Sequence, residues 1–178
     1  MSEARQSAWE RRLHELLPLY GHRNWIVVAD AAYPAQSREG IETIVAGCDQ
    51  LAAVRTVLDA IVAASHVRAN VYLDREIEFV REDDAPGIDE YRRELNAALY
   101  GSRAHRLPHE QIIARLDKAA ELFHVLIVKT DMTIPYTSVF FELDCGYWSA
   151  EAEERLRDVI AAADEEKPGN RTRARQAS

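Results

Sequence analysis

His22 precedes the apolar run Trp25-Ile26-Val27-Val28-Ala29, and Asp30 follows it. Farther along, His109 stands in Pro108-His109-Glu110-Gln111, and Tyr136, Thr137 and Ser138 lead into Val139-Phe140-Phe141. An imidazole titrates close to neutral pH, so it can both give and take a proton. Carboxylates accept hydrogen bonds, whereas phenol and aliphatic hydroxyls donate and accept them. Such a set moves protons and holds a ligand rich in hydroxyls. Each residue also has a plainer use. His22 can bond to loop backbone, Asp30 can close an Asx turn before Pro34, His109 can be an exposed residue in a first helical turn, and Tyr136 can be a packing aromatic. Asp144-Cys145 before Gly146-Tyr147-Trp148 reads as a strand end followed by a turn.

Other chemistries lack their motifs. No glycine-rich phosphate loop and no Cys/His set with zinc spacing is present, so the expectation is catalysis by side chains alone, with no cofactor and no metal. A metal-dependent alternative would have to use His22, Asp30 and Asp131. Cys48 and Cys145 read as packed thiols, since two cysteines form no disulfide framework. A formal charge of -8 repels nucleic acid and anionic lipid and leaves a neutral small molecule as the easier ligand. The apolar runs are far shorter than the roughly 20 residues that span a bilayer. Met1 to Gln6 is polar and has no export-type apolar stretch, which makes a cytoplasmic location the expectation.

The elements that must position these groups follow from periodicity. Helices are expected over 8–19 (ending at Gly21), 50–65, 88–100, 108–123 and 151–163, from apolar residues at helical spacing. Strands are expected at 25–29, 42–45, 70–73, 76–80, 125–128 and 138–143. The run at 25–29 is continuously apolar and β-branched, as in a strand buried on both faces. Strands alternating with helices predict a layered α/β single domain with a buried central sheet flanked by helices, spanning 1–164. Residues 165–178 are polar and broken, and read as a disordered tail.

Gly21-His22, the strand closed by Asp30-Ala31-Ala32-Tyr33-Pro34, Leu107-Pro108-His109-Glu110-Gln111 and Pro135-Tyr136-Thr137-Ser138 together resemble, in the same order, the motifs of the ribose pyranase and fucose mutarotase (RbsD/FucU) family. The resemblance spans about residues 10 to 148. It departs at Ser138, where the family usually has asparagine, at Ala32, and across Lys129 to Thr133, which lacks the customary glycine. It implies a monosaccharide partner and His22 as proton donor, with Asp30, His109, Tyr136, Thr137 and Ser138 contacting the sugar. It also implies assembly into rings, often decamers. The alternative it leaves open is a monosaccharide-binding or sensory ring without turnover.

One constraint follows from distance alone. His22 and Asp30 are eight residues apart, and an extended chain rises about 3.3 Å per residue, so their backbones can lie up to roughly 26 Å apart. Either the chain bends near Arg23-Asn24, or one subunit supplies His22 to a site that carries the Asp30 of its neighbour. The distance leaves both open; the second is the expectation because the resemblance implies rings with sites at subunit contacts.

Overall fold

The computed structural model of the protein describes residues 6–102 and 104–165. These fall into two compact units, one ending at Cys145 and one beginning at Gly146. The first starts with α1 (Ala8–Leu16), whose end is fixed by a capping box. The Ser7 hydroxyl accepts the Glu10 N–H, and the Glu10 carboxylate accepts the Ser7 N–H. The helix does not run on to Leu19 as expected. Pro18 brings no N–H to an α-helical ladder, so Leu17–Leu19 tightens into a 3-10 turn that Tyr20, not Gly21, closes.

After it come β1 (Trp25–Ala29), β2 (Ile41–Val45), α2 (Gln50–Ala63), β3 (Val67–Asp74), α3 (Ile88–Ala98), β4 (Ala104–Leu107), α4 (His109–Ala119), β5 (Val125–Lys129) and β6 (Val139–Cys145). The six strands form one sheet in the order β2-β5-β1-β6-β3-β4. Only β6 is antiparallel to its neighbours. The carboxyl ends of five strands and the amino end of β6 therefore share one edge. Ligands of open α/β sheets gather at such an edge.

The strands predicted at 25–29, 42–45 and 125–128 are present, the last two each one residue longer, and the helices over 50–65, 88–100 and 108–123 are present with ends trimmed by a few residues. Two expectations fail. Residues 76–80 alternate like a strand, yet Arg75–Glu78 is a 3-10 turn. The Arg92 guanidinium donates to the carbonyls of Ile77, Glu78 and Val80, which a strand would have offered to a neighbour. Strand β4 was not expected at all, and its four residues are held by pairing with β3.

Alternation along β1 shows how the layers form. Ile26 and Val28 enter a core with Leu13 of α1, Val57 of α2 and Leu95 of α3, whereas Trp25, Val27 and Ala29 enter one with Ile112 and Leu116 of α4. All five residues of β1 are buried, which explains the unbroken apolar run. Phe141 of β6 has no exposed surface in the first of these cores. Phe141→Ala should lower the unfolding free energy by about 3–5 kcal/mol. Urea denaturation should show a lower midpoint with an unchanged slope; a loss below about 1 kcal/mol would contradict this packing.

The second unit carries α5 (Ala150–Glu165), where Ser149 Oγ accepts the Ala152 N–H at 3.1 Å and Arg157 pairs with Glu153 at 2.8 Å. Apart from Glu165, which ends α5, the segment read as a tail lies outside the described residues.

Candidate functional site

Register brings the polar groups of the carboxyl edge into line. Val28 of β1 and Leu73 of β3 flank Val139 of β6 from opposite sides. Just beyond these pairs come Asp30, Asp74 and Ser138. The backbones carrying the two carboxylates are two strand spacings apart, about 10 Å.

Asp30 makes the Asx turn that its place before Pro34 suggested, and it also bonds Ser138. Its Oδ1 accepts the Ala32 N–H at 2.9 Å, an Asx turn, and its Oδ2 accepts the Ser138 hydroxyl at 3.0 Å. Ser138 Oγ in turn accepts the Asp30 N–H at 3.3 Å. Ser138 is thus a clamp on Asp30, and it is buried. Thr137 is also buried; its hydroxyl is spent on the Ile134 carbonyl at 2.7 Å. The Thr137 carbonyl accepts from Tyr91 Oη at 2.8 Å and from Gln50 Nε2 at 2.9 Å.

This frame fixes Tyr136, which has φ 60° and a half-exposed ring. A tyrosine in the left-handed region stores about 1–3 kcal/mol of strain, so the surrounding bonds must hold it there. Its ring meets His109 edge-on, with centroids 5.9 Å apart. His109 opens α4, and its N–H donates to the Glu76 carboxylate at 3.0 Å, a charge well placed at a helix start. A recess of about 340 Å³ is lined by Asp30, Ala31, Ala32, Thr133, Ile134 and Pro135. That volume is at the low end for small-molecule sites.

Two residues of this edge were missed. Gln50, the first residue of α2, is buried; its amide donates to Val28 and Thr137 carbonyls, and its Oε1 accepts from the Thr130 hydroxyl. Asp74 is 2% exposed, and its Oδ1 lies 3.0 Å from His109 Nδ1. Burial pushes the Asp74 carboxyl up to about 6, against the pull of His109 and with help from the charges of Glu76 and Asp30. The only sequence signal for it was a carboxylate directly after the apolar Val71-Tyr72-Leu73.

His22 is elsewhere. Five residues of β1 stand between it and Asp30, and it occupies the opposite edge of the sheet. There its Nδ1 lies 2.9 Å from Asp144 Oδ1, while Arg68 bonds the other carboxylate oxygen at 2.7 and 3.1 Å. Burial opposes the charge on Asp144, but bonds from Arg68, the Cys145 N–H and His22 outweigh it and hold that carboxyl below its usual range. Next to His22, Arg23 has φ 75°; among the described residues it and Tyr136 are the two non-glycine residues with positive φ. A cavity of about 460 Å³ lies here, its lining including His22, Trp25, Arg115 and Glu142.

A single chain therefore unites Asp30, His109, Tyr136, Thr137 and Ser138, and leaves His22 out. Within one chain the same separation divides His22 from Asp30 and Asp131. Among the described residues, no three His, Cys, Asp or Glu side chains are grouped to hold a metal, and no helix is long and apolar enough to cross a membrane.

The model of the RbsD / FucU transport protein family matches residues 4–146. No curated protein matches the chain. Among solved structures, Bacillus subtilis RbsD complexed with D-ribose superposes with a TM-score of 0.57 at 17% identity, covering 81% of this chain and 97% of that one. The fucose mutarotase of Streptococcus pneumoniae with L-fucose gives 0.47 at 20% identity, over 73% of this chain and 89% of that one. FucU of Bifidobacterium longum gives 0.49 at 16%, over 75% and 92%.

Proposed function

Since the chain belongs to the RbsD / FucU transport protein family, we propose that it interconverts ring or anomeric forms of a monosaccharide by general acid-base catalysis, without a cofactor. The observation that carries this reading is the carboxyl edge itself, where a clamped Asp30 lines a recess of about 340 Å³ and His109 stands edge-on to Tyr136. The likeness to a D-ribose complex supports a pentose or a related sugar as the ligand class.

A hemiacetal ring opens when the anomeric hydroxyl loses a proton and the ring oxygen gains one. Closure on the other face, or through another hydroxyl, reverses both transfers. In this reading Asp30, His109 and Tyr136 hold hydroxyls and orient the ring, Thr137 and Ser138 hold the frame, and His22 moves the proton. Because His22 lies at the far edge of its own sheet, it comes from a neighbouring copy in a closed ring. Asp144 gives that imidazole a fixed orientation before the sugar arrives.

Ser138 is the residue that favours the second reading, a sugar-binding ring without turnover. Its hydroxyl is occupied by Asp30 and is not free to reach a ligand as an asparagine amide would be. Both readings are tested by melting the protein with ribose, fucose, galactose and related sugars, then measuring anomer exchange by saturation-transfer NMR. The enzyme should be stabilised by at least one sugar and should accelerate its exchange. Stabilisation without acceleration would establish the binding ring, and no response to any sugar would remove both.

A further inference from the structure

We propose that Asp74 is a positioning residue that makes His109 a second acid-base group of the site, beyond the hydroxyl-holding role given to it above. The inference rests on the sugar-isomerase reading and deepens it.

The geometry has three parts. His109 Nδ1 faces Asp74 Oδ1 at 3.0 Å, and Asp74 is almost wholly buried, so an ionised carboxylate there has His109 as its side-chain partner and keeps the proton on Nδ1. The Glu76 carboxylate holds the backbone N–H of the same residue, which fixes where the ring starts. The other ring nitrogen, Nε2, has no hydrogen-bond partner among the described residues, and the ring carrying it stands beside Tyr136 and is one-third exposed. A carboxylate behind one nitrogen and an unpaired lone pair on the other is the arrangement that lets an imidazole act as a general base.

Two oriented imidazoles suit a reaction that needs two proton transfers. His109 Nε2 takes the anomeric hydroxyl proton as the carbon–oxygen bond of the ring breaks. The electrons of that bond go to the ring oxygen, which takes a proton from the imidazolium of His22 in the neighbouring copy, and the anomeric carbon becomes a carbonyl. Closure on the opposite face returns both protons. The charged and titratable groups around His109 are Asp74 from β3, Glu76 from the turn after it, Asp30 from the β1 end, Tyr136 from the loop before β6, and Glu110 on its own helix. Burial of Asp74 raises its carboxyl to about 6, so the charge it presents to Nδ1 is lost as the pH falls through that value.

The test compares the parent with Asp74→Asn, His109→Gln and the double variant. Asp74→Asn keeps a side chain that can bond Nδ1 but removes the charge. It should slow exchange about 100-fold or more while KM changes less than about threefold, and the acidic limb of the pH profile should move. The double variant should be no slower than His109→Gln alone, since both act through one imidazole. Nitrogen-15 NMR of the imidazole gives an answer that does not depend on turnover: the parent should carry the proton on Nδ1 at pH 7.5. A parent with the proton on Nε2 overturns the proposal. So does an Asp74→Asn chain with the parental rate and pH profile, and in that case the isomerase reading stands. A folded parent inert toward every sugar removes the isomerase reading and this role together.

Discussion

Refolded together in equal amounts, a His22→Ala chain and an Asp30→Ala chain should recover about a quarter of the parental exchange rate, although each alone is slowed about 100- to 10,000-fold. The argument is geometric. β1 runs between the two residues and places them on opposite edges of the sheet, so the proposed site would draw its pair from two copies. In a ring of head-to-tail contacts, each site joins the front of one copy to the back of the next. Random mixing leaves about one contact in four with an intact His22 facing an intact Asp30. Neither substitution touches the core: His22 is largely exposed, and Asp30 is held only by turn and clamp bonds. Native mass spectrometry would establish that mixed particles form. Mixed particles no faster than the sum of the separate variants would exclude a shared site, as would a monomer with full activity.

What could be read from the sequence divides along local and non-local lines. The strand at 25–29 announced itself because burial on both faces demands an unbroken apolar run, and α2 and α3 because one face of each meets the core. Strand β4 carries Ala104, His105, Arg106 and Leu107, which alternate with no clear period, and it exists through its pairing with β3. The turn at Arg75–Glu78 depends on Arg92, a residue of a later helix. The same applies to the site. Asp30 was visible because it ends an apolar strand next to a turn. Asp74 gave almost no signal, since its meaning comes from the start of α4 landing on it with His109. Asp144 read as part of a turn, yet the β3-β6 register sets it directly opposite Arg68, and that pair presents a carboxylate to His22. Register is a product of folding, and neither strand states it alone.

Asp74→Asn should make the protein more stable above pH 6, by up to about 3 kcal/mol, even as it slows the reaction. The carboxyl titrates at about 6 in the folded chain, chiefly because burial disfavours its charge, and near 3.9 when unfolded. The folded state therefore binds this proton more tightly than the unfolded one. Its contribution to stability is complete below about pH 4, falls away between about 4 and 6, and is gone above that. Asparagine carries no such proton, so the variant escapes the loss. The gain should raise the melting temperature at pH 8 by roughly 6–12 °C and should shrink toward zero at pH 4. Taking the difference between variant and parent at each pH removes the opposite contribution of Asp144, which is stabilising above its unfolded pKa and lost on acidification. A difference that is flat across pH 4–8, or a variant less stable at pH 8, would mean that the Asp74 carboxylate is well satisfied where it lies. A gain in stability joined to a loss of rate has a different meaning: a charge held in the core against its own solvation is retained for what it does to His109.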